Sequence, residues 1–113
     1  GGHVVRIGPD ASRLVAALRE LEELGPQGRH AALALDIAVP SDMAALAVEC
    51  AGRYGRIDLL IVSPLDVGYE GLPPRTADLP LRAWQRSLDI NLHGVFLANV
   101  AVLPMMLAAG TTR

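Results

Sequence analysis

Lysine is absent: all ten basic side chains among the 113 residues are arginine. A reaction that needs a lysine amine, as nucleophile or as the neighbour that lowers another group's pKa, cannot be completed by these residues alone. Cysteine is nearly absent. The single Cys50 cannot form an internal disulfide, and its position on the apolar side of an expected helix reads as a buried, inert thiol. That usage fits a reducing cytoplasm, the expected location. The histidines, His3, His30 and His93, are far apart and lack carboxylate or cysteine partners at ligand spacing, so no metal is expected. Twelve acidic and ten basic residues are spread along the chain with a formal charge of −2 and no block of one sign. That pattern argues against nucleic acid as a partner. No basic stretch followed by an apolar core opens the chain, so no secretory signal is expected at its start. The longest apolar run, residues 94–109, is shorter than the roughly 20 residues that span a bilayer and carries Asn99 and Pro104, so no membrane segment is expected.

What is present is apolar material, 51% of the residues, enough for the core of one domain or part of one. His3-Val4-Val5-Arg6-Ile7-Gly8 is short, rich in β-branched residues and closed by Gly8-Pro9, which predicts a buried strand ending in a turn. Asp10 is placed to cap a helix in which Leu14, Leu18, Leu21 and Leu24 recur at helical spacing, with Gly25-Pro26 as its stop. A polar turn, Gln27-Gly28-Arg29, leads to the continuous run Ala31-Ala32-Leu33-Ala34-Leu35-Asp36-Ile37, a second buried strand. Ser41 is expected to cap a helix to about residue 53 that buries Met43, Leu46, Ala47 and Cys50 and frays at Gly52 and Gly55. Ile57-Asp58-Leu59-Leu60-Ile61-Val62 reads as a third strand.

Strands alternating with helices of this length predict an α/β fold with a parallel sheet. Residues 66–80, with three prolines and two glycines, read as a surface loop at the carboxyl end of the third strand, the edge where open α/β sheets bind ligands. A long helix follows over residues 81–109, with Trp84, Leu88, Leu92, Val95, Phe96 and Val102 as its apolar face and Trp84 and Phe96 expected in the core. Gly94 and Pro104 interrupt it, a pairing that signals close packing or a kink.

Two stretches resemble the short-chain dehydrogenase/reductase family. Tyr54-Gly55-Arg56-Ile57-Asp58-Leu59-Leu60-Ile61 looks like the entry to the family's fourth strand. Trp84-Gln85-Arg86-Ser87-Leu88-Asp89-Ile90-Asn91-Leu92-His93-Gly94-Val95-Phe96, followed by Leu103-Pro104-Met105-Met106, resembles its long interface helix. The spacing between them, and Leu35-Asp36-Ile37 upstream, agree with the family's order.

The resemblance implies a partial Rossmann-type, doubly wound parallel sheet: a βαβαβα piece over residues 1–113 that begins after the first strand and its glycine-rich phosphate cradle and ends before the family's Tyr-x-x-x-Lys. It implies an NAD(P)-dependent oxidoreductase that moves hydride between nicotinamide and a carbonyl or alcohol carbon of a small molecule, inactive as this chain alone. A homo-oligomer formed through the 81–109 helix is implied as well. The alternative is a degenerate, non-catalytic Rossmann module used for association.

Asn91 corresponds to the family's active-site asparagine, which helps hold a water in a proton relay; the other reading is a polar residue satisfied at a kink. Asp36 matches a carboxylate that accepts from the adenine amino group while Ile37 packs on the ring, or else it is a turn residue ahead of Pro40-Ser41. Gly8 and Pro9 stand where an acid would select NAD or an arginine NADP. Neither is there, and with Arg6 read as a strand residue and Arg13 as a solvated helix residue, the choice of NAD or NADP stays open. Val62-Ser63-Pro64-Leu65 departs from the family's Asn-Asn-Ala-Gly. Val62 and Ser63 are the residues there expected near the cofactor, with Pro64 lacking an N–H and Leu65 adding bulk.

Overall fold

The computed structural model describes residues 2–25, 30–64 and 75–110. The element order is β1 (Val5–Gly8), α1 (Ala11–Leu24), β2 (Ala31–Ala34), α2 (Pro40–Tyr54), a 3₁₀ turn (Thr76–Asp78), α3 (Leu81–Leu88), a π-helical turn (Asp89–His93) and α4 (Gly94–Ala108). β1 and β2 pair in parallel, with Val5 opposite Ala31 and Gly8 opposite Ala34, and α1 is the crossover that parallel pairing requires. The fold is α/β, with the βαβ order expected of a Rossmann-type sheet.

The sheet's two faces are covered by different helices. Val5 and Ile7 of β1, with Leu33, Leu35 and Ile37 on and beyond β2, pack against a core of Met43, Leu46, Cys50, Ala98, Val102 and Met106 from α2 and α4. Alternation along the strands turns Gly8 the other way, toward α1, where a Cβ on Gly8 would lie 3.7 Å from Leu14 Cδ2. Asp10 caps α1 as expected, Oδ1 accepting from the backbone N–H of Ser12 at 2.9 Å and of Arg13 at 3.3 Å. These bonds, led by that from the Ser12 hydroxyl, hold its carboxyl below the usual carboxylate range. The leucine stripe of α1 holds at Leu14 but fails at Leu24, which is 86% exposed.

Four expectations need correction. α2 is not capped by Ser41: it starts two residues earlier, with Val39 at the N-cap and Pro40 in the first turn, where a missing N–H costs nothing. At its other end Gly55 takes φ 74° and donates its N–H to the Ala51 carbonyl, a left-handed cap that glycine adopts without steric cost. The third strand, residues 57–62, joins no ladder; the described sheet holds only β1 and β2. Its sequence is that of a strand, but pairing also needs a neighbour with free backbone groups alongside. Trp84 and Phe96, expected in the core, are 53% and 66% exposed. The helix instead buries Ile90, Gly94, Ala98, Val102 and Met106, every fourth residue, and Ala98, Val102 and Met106 of this face join Met43, Leu46 and Cys50 of α2 in the core. Finally, Leu81–Ala108 is one continuous helix long and apolar enough, by length and composition, to cross a membrane. The face packed on the α2 core accounts for only part of that apolarity, because Leu92, Phe96, Val100, Leu103 and Leu107 are exposed.

The expected turn at residues 27–29, Pro26, Leu65 and most of the 66–80 loop lie outside the described residues.

Candidate functional site

An open groove of about 820 Å³ runs from the edge of β1 to the carboxyl ends of both strands. It gathers Gly8, Pro9, Asp36, Ile37 and Ser63, expected at the cofactor from widely separated parts of the sequence. Leu59 and Ile61, 73% and 77% exposed, line it opposite β1, so the unladdered segment forms its second wall. Arg6 and Arg13 also line it, although each was read as solvated or structural from sequence. Val62 is not in the groove; it packs with Leu60 and Ile57 against the core.

Asp36 is the most constrained polar group there. Its Oδ1 accepts the Ala38 N–H at 2.9 Å, its Oδ2 accepts from Arg86 Nη2 at 2.8 Å, and its own N–H donates to Asp42 Oδ2 at 2.8 Å. The first bond is an Asx turn, so the turn reading of Asp36 holds. It leaves the cofactor reading open, because a carboxylate has roughly four acceptor positions and two are taken. Partial burial pushes the Asp36 carboxyl up, but the Arg86 guanidinium and the Ala38 N–H outweigh it and hold the group below its usual range.

Ile37 is fixed from the opposite side. A Cβ on Gly94 would come within 2.9 Å of Ile37 Cγ2 and 3.2 Å of the Asp89 carbonyl oxygen, so only glycine admits this contact. The expected close packing at Gly94 is therefore present, and its partner is Ile37 in the turn that follows β2.

The helix widens into a π turn over Asp89–His93, and the Gly94 N–H reaches back five residues to the Asp89 carbonyl. Asn91 lies inside that turn. Its Nδ2 donates to the Ser87 carbonyl at 2.9 Å, an acceptor one helical turn back. Asn91 is thus a hydrogen-bonded polar residue within the π turn. Asn91 does not line the groove; its neighbour Ile90 does.

Sequence reasoning missed Arg86, which lies 50 residues from Asp36 and carries no local signal of its partner. Nothing among the described residues groups three or more histidine, cysteine or acidic side chains as a metal site would.

An acceptor at Asp36, an apolar side chain at Ile37 and a hydroxyl at Ser63 suit the adenosine end of a dinucleotide. A pyrophosphate needs a glycine-rich turn before a helix N-terminus, and no element among the described residues has that form.

Comparison with known proteins agrees with this arrangement. A family model described as short chain dehydrogenase matches residues 1–113. D-threitol dehydrogenase of Mycolicibacterium smegmatis is 40% identical over 86 residues, which cover 76% of this chain and 32% of that protein. The NAD(+)-linked 2-dehydro-3-deoxy-L-rhamnonate dehydrogenase of a Sphingomonas species is 37% identical over 81 residues, 72% of this chain and 31% of the relative. The chain thus spans less than a third of the length of these relatives. L-sorbose reductase of Gluconobacter frateurii, solved with NADPH and L-sorbose, superposes with a TM-score of 0.81 over 97% of this chain and 40% of that one; at 23% identity it speaks to the fold alone. The chain belongs to the short-chain dehydrogenase family.

Proposed function

We propose that this chain is part of an NAD(P)-dependent oxidoreductase that acts on a small alcohol or carbonyl compound, and that it supplies the adenosine side of the cofactor groove and the helix that carries Asn91. The observation that carries the reading is the groove, which draws Gly8, Pro9, Asp36, Ile37 and Ser63 to one sheet edge. When bound, the nicotinamide ring supplies hydride chemistry. This chain's own residues bind and orient: Asp36 accepts from the adenine amino group, Ile37 packs on the ring face, and Ser63 lies within the same groove for a ribose hydroxyl. Asn91 acts at the reacting end by holding a water for proton transfer. The chain alone is inactive, because that proton transfer calls on a tyrosine and a lysine, and lysine does not occur in it. Residues 1–113 are accordingly a portion of a longer nucleotide-binding domain, one that works in the cytoplasm.

The exposed residues Leu92, Phe96, Val100, Leu103 and Leu107 recur every three to four positions along the helix and support pairing with a second copy. The same stripe, with the Val62-Ser63-Pro64 departure, favours the second reading, a non-catalytic module that associates through this helix. Isothermal titration of the full-length protein with NADH and NADPH separates the two. Saturable heat with either supports the oxidoreductase; no heat with both, from a folded oligomer, supports the module.

A further inference from the structure

The turn that follows β2 is joined to the long helix at two successive residues. Asp36 bonds Arg86 Nη2 at 2.8 Å, and Ile37 fills the space that Gly94 leaves open. Both attachments fall within five residues of Asn91, one on each side of the π turn. A carboxylate tied only by the Ala38 N–H could swing its second oxygen. The Arg86 donor fixes that oxygen and keeps the group ionised, while its remaining acceptor positions stay available. The Asp36 side chain is 25% exposed and the Arg86 side chain 44%, so the pair is reachable from the groove that both residues line.

We propose that Arg86 is a positioning residue for dinucleotide binding: it holds the Asp36 carboxylate in the orientation that accepts the 6-amino group of adenine and so ties that subsite to the helix bearing Asn91. The inference rests on the cofactor reading of Asp36 given above. Arg86 touches no cofactor atom in this account; it acts through Asp36.

The test is binding of NADH and of its hypoxanthine analogue, in which a carbonyl replaces the 6-amino group, to full-length protein with Arg86, Arg86→Ala or Arg86→Gln, followed by nucleotide fluorescence. The protein with Arg86 prefers adenine about tenfold, the worth of one charged hydrogen bond. Arg86→Ala loses most of that preference by weakening the adenine form while leaving the hypoxanthine form nearly unchanged. Arg86→Gln, which keeps an uncharged amide N–H donor, recovers part of it. A general loss of fold would weaken both nucleotides alike and leave their ratio intact, and that result overturns the proposal. So does an undiminished preference in Arg86→Ala. If the protein with Arg86 binds both forms equally, the Asp36 assignment fails and takes the proposal with it; if it binds neither, the oxidoreductase reading itself fails.

Discussion

The layer between α2 and α4 and the groove along β1 are built from similarly apolar sequence, yet they end in opposite states. In the layer, Met43 and Val102 are each 1% exposed. Across the groove, Leu59 and Ile61 stand more than two-thirds exposed. Hydropathy does not separate the two; closure does. A helix meets its own backbone hydrogen bonds and needs a partner only for its side chains, so α2 and α4 can bury each other within this chain. Strand-like residues at 57–62 need a neighbouring backbone as well as a packing surface, and no described strand offers one on that side. The closed layer therefore serves as scaffold, and the open edge is where a ligand or further chain can act.

The largest test of that contrast places one charge in each region of the 113-residue chain. Val102→Asp buries an unpaired carboxylate and is expected to cost more than about 4 kcal/mol in a urea melt, enough to abolish the cooperative transition. Ile61→Asp faces the open groove and is expected to stay within about 0.5 kcal/mol. Equal losses would break the comparison, since they would mean that something covers the groove in solution.

A finer test uses the same substitution at two helical glycines. Gly94→Ala drives a Cβ to 2.9 Å from Ile37 Cγ2, a methyl set close to the backbone by the branch at Cβ, and to 3.2 Å from a backbone oxygen. A loss of about 1–3 kcal/mol is expected despite alanine's better helix propensity. Gly52→Ala, with nothing within 4 Å, is expected to gain up to about 1 kcal/mol from propensity alone. If thermal melts showed Gly94→Ala gaining stability as Gly52→Ala does, the tight junction between Ile37 and the helix would be disproved.

The parts of the fold that were legible in the sequence are those fixed by neighbours along the chain. Asp10 as a cap, the buried face of α2 at Met43, Leu46 and Cys50, and the stop at Gly55 each follow from spacing within a turn or two. What was not legible depends on distant residues. Trp84 and Phe96 look like core by hydropathy, but the buried face of the helix is the one that meets α2 at Ala98, Val102 and Met106 and Ile37 at Gly94, partners distant in sequence. The candidate site divides the same way. Asp36, Ile37 and Asn91 were found by motif, whereas Arg86, which holds Asp36 from 50 residues away, was not.

That same pair gives the smallest effect, visible as a pH dependence. The folded state lowers the Asp36 carboxyl from its reference value of 3.8, with burial opposing and the Arg86 and Ala38 bonds prevailing. A depressed pKa contributes stability that is present above the unfolded value and is lost as pH falls through the folded one. The pair is partly exposed, so solvent screening keeps its contribution small, and salt reduces it further. Asp36→Asn keeps the Asx-turn acceptor but not the charge. Its melting temperature should therefore lie slightly below that of the unaltered chain at pH 6, and the gap should begin to close as the pH falls through 3.8 and vanish only below the lowered folded value, where both side chains are neutral. A gap that persisted unchanged to pH 2.5 would assign the stabilisation to the turn alone and leave the Arg86 ion pair without thermodynamic weight, even though it could still orient the carboxylate.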